Sequence, residues 1–326
     1  MSILITGGAG YIGSHMVLAA LERGDDVVVL DNLSTGVRAL VAERAHFHQG
    51  FVGDQALLRR LFQYYSISAV IHFAGSIVVP ESVAKPLAYY ANNTMASRSL
   101  IEACVNCGVK QFIFSSTAAV YGLPKHNPVG EQDGAAPINP YGRSKLMTEW
   151  MLEDAARAHD FRYVALRYFN VAGADPAGRT GQSTPNATHL IKRACQVALG
   201  RIPTLDIFGT EFRTPDGTGV RDYIHVSDLV AAHALALDHL EQGGASTVLN
   251  CGYGHGFSVR EVVDAVSRVV GKTIPTREAP PRPGDPEALV ADSSKLQTQF
   301  GWRPAYDDLQ EIVASAYEWE RRLNTA

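Results

Sequence analysis

Cysteine is scarce: four residues in 326 cannot make a disulfide framework, and the chain reads as one from a reducing compartment. Cys104 and Cys107 form a CxxC near the end of the helical pattern MASRSLIEACVNCG, but no second CxxC completes a zinc site. They read as ordinary helix residues before a Gly108 stop, and no metal is expected. Also lacking is a basic run that would follow a phosphate backbone. With 29 Lys+Arg against 33 Asp+Glu the formal charge is -4, so nucleic acid is not an expected partner. No apolar stretch nears the length of a membrane span, and Met1 leads directly into ILIT without a basic leader or cleavage site. No membrane association and a cytoplasmic location are therefore expected. Internal repeats, heptad arrays and low-complexity tracts are missing too.

What is present is a chain 46% hydrophobic and 19% charged, enough for one large domain plus a smaller lobe. Short apolar runs recur with helical patterns between them: SILIT, DVVVLD, AVIHFAG, QFIFSST, YVALRYFN and TVLNCG. Near-continuous Val, Ile and Phe in such runs means strands buried on both faces. The pattern predicts an α/β fold, a doubly wound parallel sheet of Rossmann type. From about Ala174 the texture turns to Gly, Pro, Thr and Asn, which predicts a smaller mixed α/β lobe. Residues 1–173 are expected to form the first domain and 174–326 mainly the second, with about 222–252 returning to the first.

SILITGGAGYIGSHMVLAALERG reads as a strand, a glycine turn and a helix. Gly7, Gly10 and Gly13 let the backbone turn tightly and approach a pyrophosphate, which the positive helix N-terminus stabilises. The next strand, DVVVLD, ends in Asp31, 31 − 13 = 18 residues past the last glycine. A carboxylate there accepts both ribose hydroxyls of adenosine and repels a 2′-phosphate, which points to NAD over NADP. Thr6, His15 and Arg23 each read as structural or solvated. HFAG, His72 to Gly75, ends another strand at the edge where ligands gather. Phe73, Ala74 and Gly75 would allow close approach of the cofactor, while His72 reads as a packed, hydrogen-bonded histidine.

FIFSSTAAVYG runs a buried strand into Ser115, Ser116 and Thr117, placing hydroxyls at that same edge. Twenty-four residues on (141 − 117) comes NPYGRSK, with Asn139 and Pro140 as a helix start and Tyr141 and Lys145 one turn apart on one helix face. The intervening segment is rich in Pro and Gly and long for a loop without function. Free tyrosine titrates near ~10, too high for a base at neutral pH. A neighbouring ammonium and an oxidised nicotinamide would favour phenolate and pull that value down. A hydroxyl, a tyrosine and a lysine beside NAD are suited to removing an alcohol proton as hydride leaves its carbon.

These stretches, with LDNLS, ESVAKPLAYYANN, PYGRSKLMTE, LRYFNVAGA, DGTGVRDYIHVSDL, PRPGD and ADSSK, resemble the extended short-chain dehydrogenase/reductase family over nearly the whole chain. Within it, the chain is similar to the branch that epimerises UDP-hexoses at C4, interconverting UDP-glucose and UDP-galactose through a transient 4-keto sugar. The resemblance implies that Thr117 hydrogen-bonds the sugar 4-hydroxyl, Tyr141 is base and later acid, and Lys145 holds the nicotinamide ribose and tunes Tyr141. For NAD it implies Tyr11, Ile12, Asn32, Ser34, Val52, Asn92, Ser115 and Tyr168 beside the residues already named. For the UDP-sugar it implies Asn170, His189, Leu190, Phe208, Arg221, Arg282 and Asp285. Arginine suits a diphosphate and aspartate suits ribose hydroxyls.

It also implies a homodimer through a bundle that includes the Tyr141 helix. Three departures stand out. Phe51 replaces an acidic partner of the adenine amine, with Asp54 close by. Ile77 replaces a lysine. Leu289 takes a position that is a large Tyr in some relatives and smaller in others, leaving the width of the sugar pocket open. The rival readings are an epimerase of UDP-N-acetylglucosamine or a UDP-pentose, a 4,6-dehydratase, or a non-catalytic NAD-binding relative. Dehydration needs an acid/base carboxyl pair after the catalytic Thr, where this chain has Ala118 and Ala119. A non-catalytic relative would be expected to have lost Tyr141 or Lys145.

Overall fold

The computed structural model describes residues 1–185, 187–282 and 284–323. Its centre is a seven-stranded sheet made of β1 (Ser2–Thr6), β2 (Asp26–Asp31), β3 (His46–Gln49), β4 (Ala69–His72), β5 (Gln111–Ser115), β6 (Arg162–Tyr168) and the later β11 (Thr247–Cys251). The spatial order is β11-β6-β5-β4-β1-β2-β3, and every neighbouring pair is parallel. The winding therefore reverses between β1 and β4, the place where such sheets open a crevice at their carboxyl ends.

Successive residues of a strand face opposite sides, and both sides are covered. Ile3, Ile5, Val27, Val29, Ile71 and Ile113 join one core with Met16 and Val17 of α1 (Tyr11–Arg23) and Leu229 and Leu237 of α8 (Val226–Glu241). Leu4, Val28, Leu30, Val70, Phe112 and Phe114 join the other. That second layer is filled by Leu58 and Leu61 of α2 (Gln55–Tyr65), Leu100 of α5 (Ala96–Cys107) and Leu152 of α6 (Pro140–Ala158). Between α2 and α5 lie two short helices, α3 (Val79–Ala84) and α4 (Pro86–Tyr89), and a π-helical turn, Tyr90–Met95. Double coverage is why these strands read as continuous apolar runs. The exception is β3: its sequence, HFHQ, carried no such signal because it is an edge strand with no fully buried residue.

Beyond the sheet, α7 (Leu190–Ala198), α9 (Val259–Val270) and α11 (Leu309–Arg322) pack against one another, with α10 (Ser294–Phe300) beside β11. The remaining strands are short: β7 (Asn170–Ala172) pairs with β10 (Tyr223–His225), and β8 (Leu205–Phe208) with β13 (Thr276–Ala279). β9 (Val220–Arg221) lies between β12 (Phe257–Ser258) and β14 (Ala288–Leu289). Among the described residues no helix is long and apolar enough to cross a membrane.

The start of α6 positions the chemistry. Asn139 Oδ1 accepts a hydrogen bond from the Gly142 amide at 2.9 Å, and Pro140 follows as the first helical residue. Asn139→Ala removes this cap and should cost ~1 kcal/mol in urea unfolding, whereas Asn139→Asp keeps most of it.

Candidate functional site

The glycine turn sits at the reversal point. Gly7 has φ +71, and a Cβ there would stand 2.7 Å from the Ala74 amide nitrogen, so the β1 and β4 loops meet only because this residue has no side chain. A Cβ on Gly13 would strike the Gly7 carbonyl. Gly10 caps α1 without a side-chain bond, and the first turn holds no acidic residue, so its free amides and positive dipole end face the turn. This cradle fits a pyrophosphate.

Asp31 is buried at the end of β2, where Oδ2 accepts from the Ala9 amide at 3.0 Å and Oδ1 from the Leu33 amide at 2.8 Å. Two contacts leave lone pairs for ribose hydroxyls. Asn32 and Ser34 are exposed and share a small turn, with the Ser34 amide donating to Asn32 Oδ1. Val52 is buried and Phe51 is 45% exposed beside it. Asp54 has a task of its own: Oδ1 accepts from the Ala56 and Leu57 amides and caps α2. Ile77 is exposed as well.

His72 is the packed histidine expected. Nδ1 shares a proton with Thr6 Oγ1 at 2.6 Å and Nε2 with Ser97 Oγ at 2.8 Å, and burial, then Lys145, lower its pKa to about 3. Beyond it the Phe73 ring lies 4.9 Å from that of His233. Asn92 donates to Ser76 Oγ. Its neighbour Asn93, which sequence reasoning did not single out, is the tighter anchor. Asn93 is buried, accepts from the Ser76 amide at 2.7 Å, and donates to Ser76 O and to Ser144 Oγ of α6.

At the end of β5 the predicted hydroxyls, tyrosine and lysine come together. Tyr141 and Thr117 are both buried here, Thr117 acts on the Tyr141 phenol, and Thr117 Oγ1 accepts from the Ala119 amide. Lys145 Nζ donates to Ser115 O at 2.8 Å and lies 4.9 Å from the centre of the Phe114 ring. Ser115 Oγ and Tyr168 Oη share a hydrogen bond of 2.6 Å. All of these side chains are mostly enclosed, and burial dominates their titration. It lowers Lys145 to about 8, with Glu149 opposing, and it raises Tyr141, with Thr117 opposing. The sequence led us to expect a phenol pulled down by its ammonium. In the protein alone the phenol is pushed up, because losing water outweighs the opposing influence of Thr117.

The residues assigned to the sugar nucleotide come from β7, β8, β9, the start of α7 and the loop after β13. A cavity of about 60 Å³ joins Tyr11 of α1 to Asn170, His189 and Leu190, with Tyr223 and Lys192 also lining it. Tyr11 Oη is fixed to Gly173 O at 2.6 Å. His189 faces Gln182 at 3.3 Å, and burial, then Lys192, lower its pKa to about 4. The Arg282 guanidinium lies 3.9 Å from the centre of the Phe208 ring, and Arg221 reaches Asp285 at 3.8 Å. Burial lowers the Arg221 pKa. Pro283 of the PRPGD motif is outside the described residues. The cavity lining includes neither Tyr141 nor Thr117.

The sequence model of the NAD dependent epimerase/dehydratase family matches residues 3–252. The chain belongs to this family. It is 57% identical to a UDP-glucose 4-epimerase of Azospirillum brasilense, over 98% of this chain and 92% of that one. Among solved structures, UDP-glucose 4-epimerase from Brucella ovis in complex with NAD superposes with a TM-score of 0.95, at 44% identity over 98% of each chain. The enzyme from Bifidobacterium longum in complex with NAD+ and UDP gives 0.94, at 38% identity over 99% of this chain and 98% of that one.

Lys145 titrates near 8 when folded, against 10.5 for a free side chain, so between those values the unfolded chain binds more protons. Its cost to stability is full below pH 8 and gone above pH 10.5. Lys145→Met should therefore stabilise the cofactor-free protein at pH 7, by up to about 3 kcal/mol in urea titrations, with the gain shrinking as pH rises. Equal stability at pH 7 would show that the ammonium is not desolvated.

Proposed function

We propose that this chain catalyses NAD-dependent 4-epimerisation of UDP-hexoses, interconverting UDP-glucose and UDP-galactose. The observation that carries the reading is the gathering of buried Thr117, Tyr141 and Lys145, with Lys145 Nζ on Ser115 O, at the carboxyl edge of the sheet where the glycine cradle opens.

Gly7, Gly10, Gly13, Asp31 and the Phe73–Gly75 turn would hold the dinucleotide, with Tyr11, Ile12, Asn32, Ser34, Val52, Asn92, Ser115 and Tyr168 around it. When bound, NAD would supply the hydride acceptor and donor for C4 and a positive charge. Tyr141 Oη takes the proton of the sugar 4-hydroxyl, which Thr117 orients, and gives one back after the 4-keto sugar has turned over. Lys145 holds positive charge beside the phenol, which favours its ionised form. Asn170, His189, Leu190, Phe208, Arg221, Arg282 and Asp285 would bind the UDP part, the arginines offering planar forks of donors to the diphosphate. His189 is neutral at pH 7 and therefore offers that site a hydrogen bond and no charge.

Dehydration is disfavoured at one point: the turn after Thr117 starts with Ala118 and Ala119, which carry no carboxyl. The division into lobes at 173/174, with 222–252 returning, is supported by β11 extending the central sheet beside β6. A homodimer is supported by an apolar surface on α3, α4, the π turn and α6, where Val83, Leu87, Met95 and Trp150 are 62%, 79%, 57% and 55% exposed. Four unpaired cysteines accord with a cytoplasmic enzyme.

Purified protein should carry NAD and interconvert UDP-glucose and UDP-galactose without added oxidant. Tyr141→Phe should retain fold and cofactor and lose ~10²- to 10⁴-fold in turnover. A cofactor-free preparation that stays inactive when NAD is supplied, or a Tyr141→Phe variant of normal rate, would overturn the reading. Asp31→Ala should weaken NAD binding, followed by equilibrium titration, and reduce discrimination against NADP.

A further inference from the structure

One turn beyond Lys145 on α6 stands a buried ion pair that the reading above leaves unused. Glu149 is 4% exposed and Arg167, on the neighbouring strand β6, is 7% exposed. Arg167 Nη2 donates to Glu149 Oε2 at 2.5 Å, and its Nε lies 3.0 Å from Oε1. Ser116 Oγ, in the residue before Thr117, also donates to Glu149. The remaining arginine donor, Nη1, reaches Tyr121 Oη at 3.1 Å, and Tyr121 donates to Asn250. Every partner is thus satisfied, and the carboxylate is clamped between the helix of Tyr141 and Lys145 and the strand end of Thr117.

A pair buried this deeply is weak evidence for stability alone, since apolar side chains of like size commonly serve as well. Its position gives it a second role. Among the described residues, the groups nearest the Lys145 ammonium are uncharged: Ser115 O and the Phe114 ring on β5, neutral His72 on β4, and Asn93 on the π turn. Tyr168 on β6 is a phenol whose pKa burial raises. Glu149 is the one anion among the groups that act on the Lys145 charge, and Arg167, the other ion nearby, is bound to that same carboxylate. Residues four apart share a helix face, so the field of Glu149 acts along the stem of Lys145.

We propose that Glu149 is a positioning residue for the proton-transfer pair: its carboxylate, locked by Arg167 and Ser116, keeps the buried Lys145 ammonium charged and fixed beside Tyr141. This rests on the reading of Tyr141 and Lys145 as the proton-transfer pair. Ser116 is drawn in by the same carboxylate, so charge and strand-end geometry are set together. Taking away the carboxylate alone also strands Arg167, so the decisive variant is the double one, which leaves no unpaired ion.

The titration midpoint of Lys145 can be followed by NMR of protein labelled with 13Cε-lysine, the resonance being assigned with Lys145→Met. Glu149→Gln should lower that midpoint by on the order of one pH unit, and Glu149→Gln/Arg167→Met, which also takes away a cation, should lower it by less but still measurably. The alkaline limb of kcat for UDP-galactose should move down equally, with KM changing less. If the pair is only structural, the double variant will titrate and turn over as the unmodified protein does, and the proposal falls. Should Glu149→Gln fail to fold, the double variant decides alone. A shifted midpoint in a protein without epimerase activity would sustain the electrostatic role and overturn the proposed reaction.

Discussion

A positive charge has to be kept out of water at the carboxyl edge of the sheet, and much of the surrounding structure serves that requirement. Lys145 is 4% exposed, and burial alone would discharge it. The Ser115 carbonyl, the face of Phe114 and the field of Glu149 oppose that tendency. Each comes from a different constraint: β5 must end where it does, α6 must start at Asn139, and β6 must bring Arg167 to Glu149. Loss of hydration is thus offset locally by groups that the fold already holds rigid.

The same desolvation explains why Tyr141 is not an activated base in the protein alone. Burial works against phenolate just as it works against ammonium, so both partners are pushed toward neutrality. Under the proposed reaction, further positive charge and a substrate hydroxyl would have to enter before the phenol ionises. That arrangement suits an enzyme whose reaction must begin only when both ligands are in place. Stability and function oppose each other here, as they commonly do where a charged group is enclosed for its chemistry.

At the other end of the crevice, electrostatics is supplied by the backbone. The uncapped start of α1, the left-handed turn at Gly7 and the carboxylate of Asp31 offer donors to an anion and an acceptor to hydroxyls, within one strand-turn-helix unit and the next strand end. Such a unit needs few distant contacts. The residues proposed for the sugar nucleotide are arranged the opposite way: Asn170, His189, Phe208, Arg221 and Arg282 lie on or beside separate short elements far apart in the chain.

That contrast marks what the sequence determined by itself. The doubly wound sheet was legible because strands covered on both faces must be apolar throughout, and the cofactor cradle because its glycines, helix start and Asp31 are close in the chain. Tyr141 and Lys145 were legible because one helical turn fixes their spacing. β3 was not, since an edge strand such as HFHQ buries too little to show a pattern. The buried network of Asn93, Glu149 and Arg167 was also invisible, because a buried polar side chain has meaning only through partners far away in sequence, such as Ser76, Ser144 and Ser116. The titration of the site was likewise decided by tertiary structure: charge proximity can be read from spacing, but the loss of water that outweighs it exists only once the layers have closed.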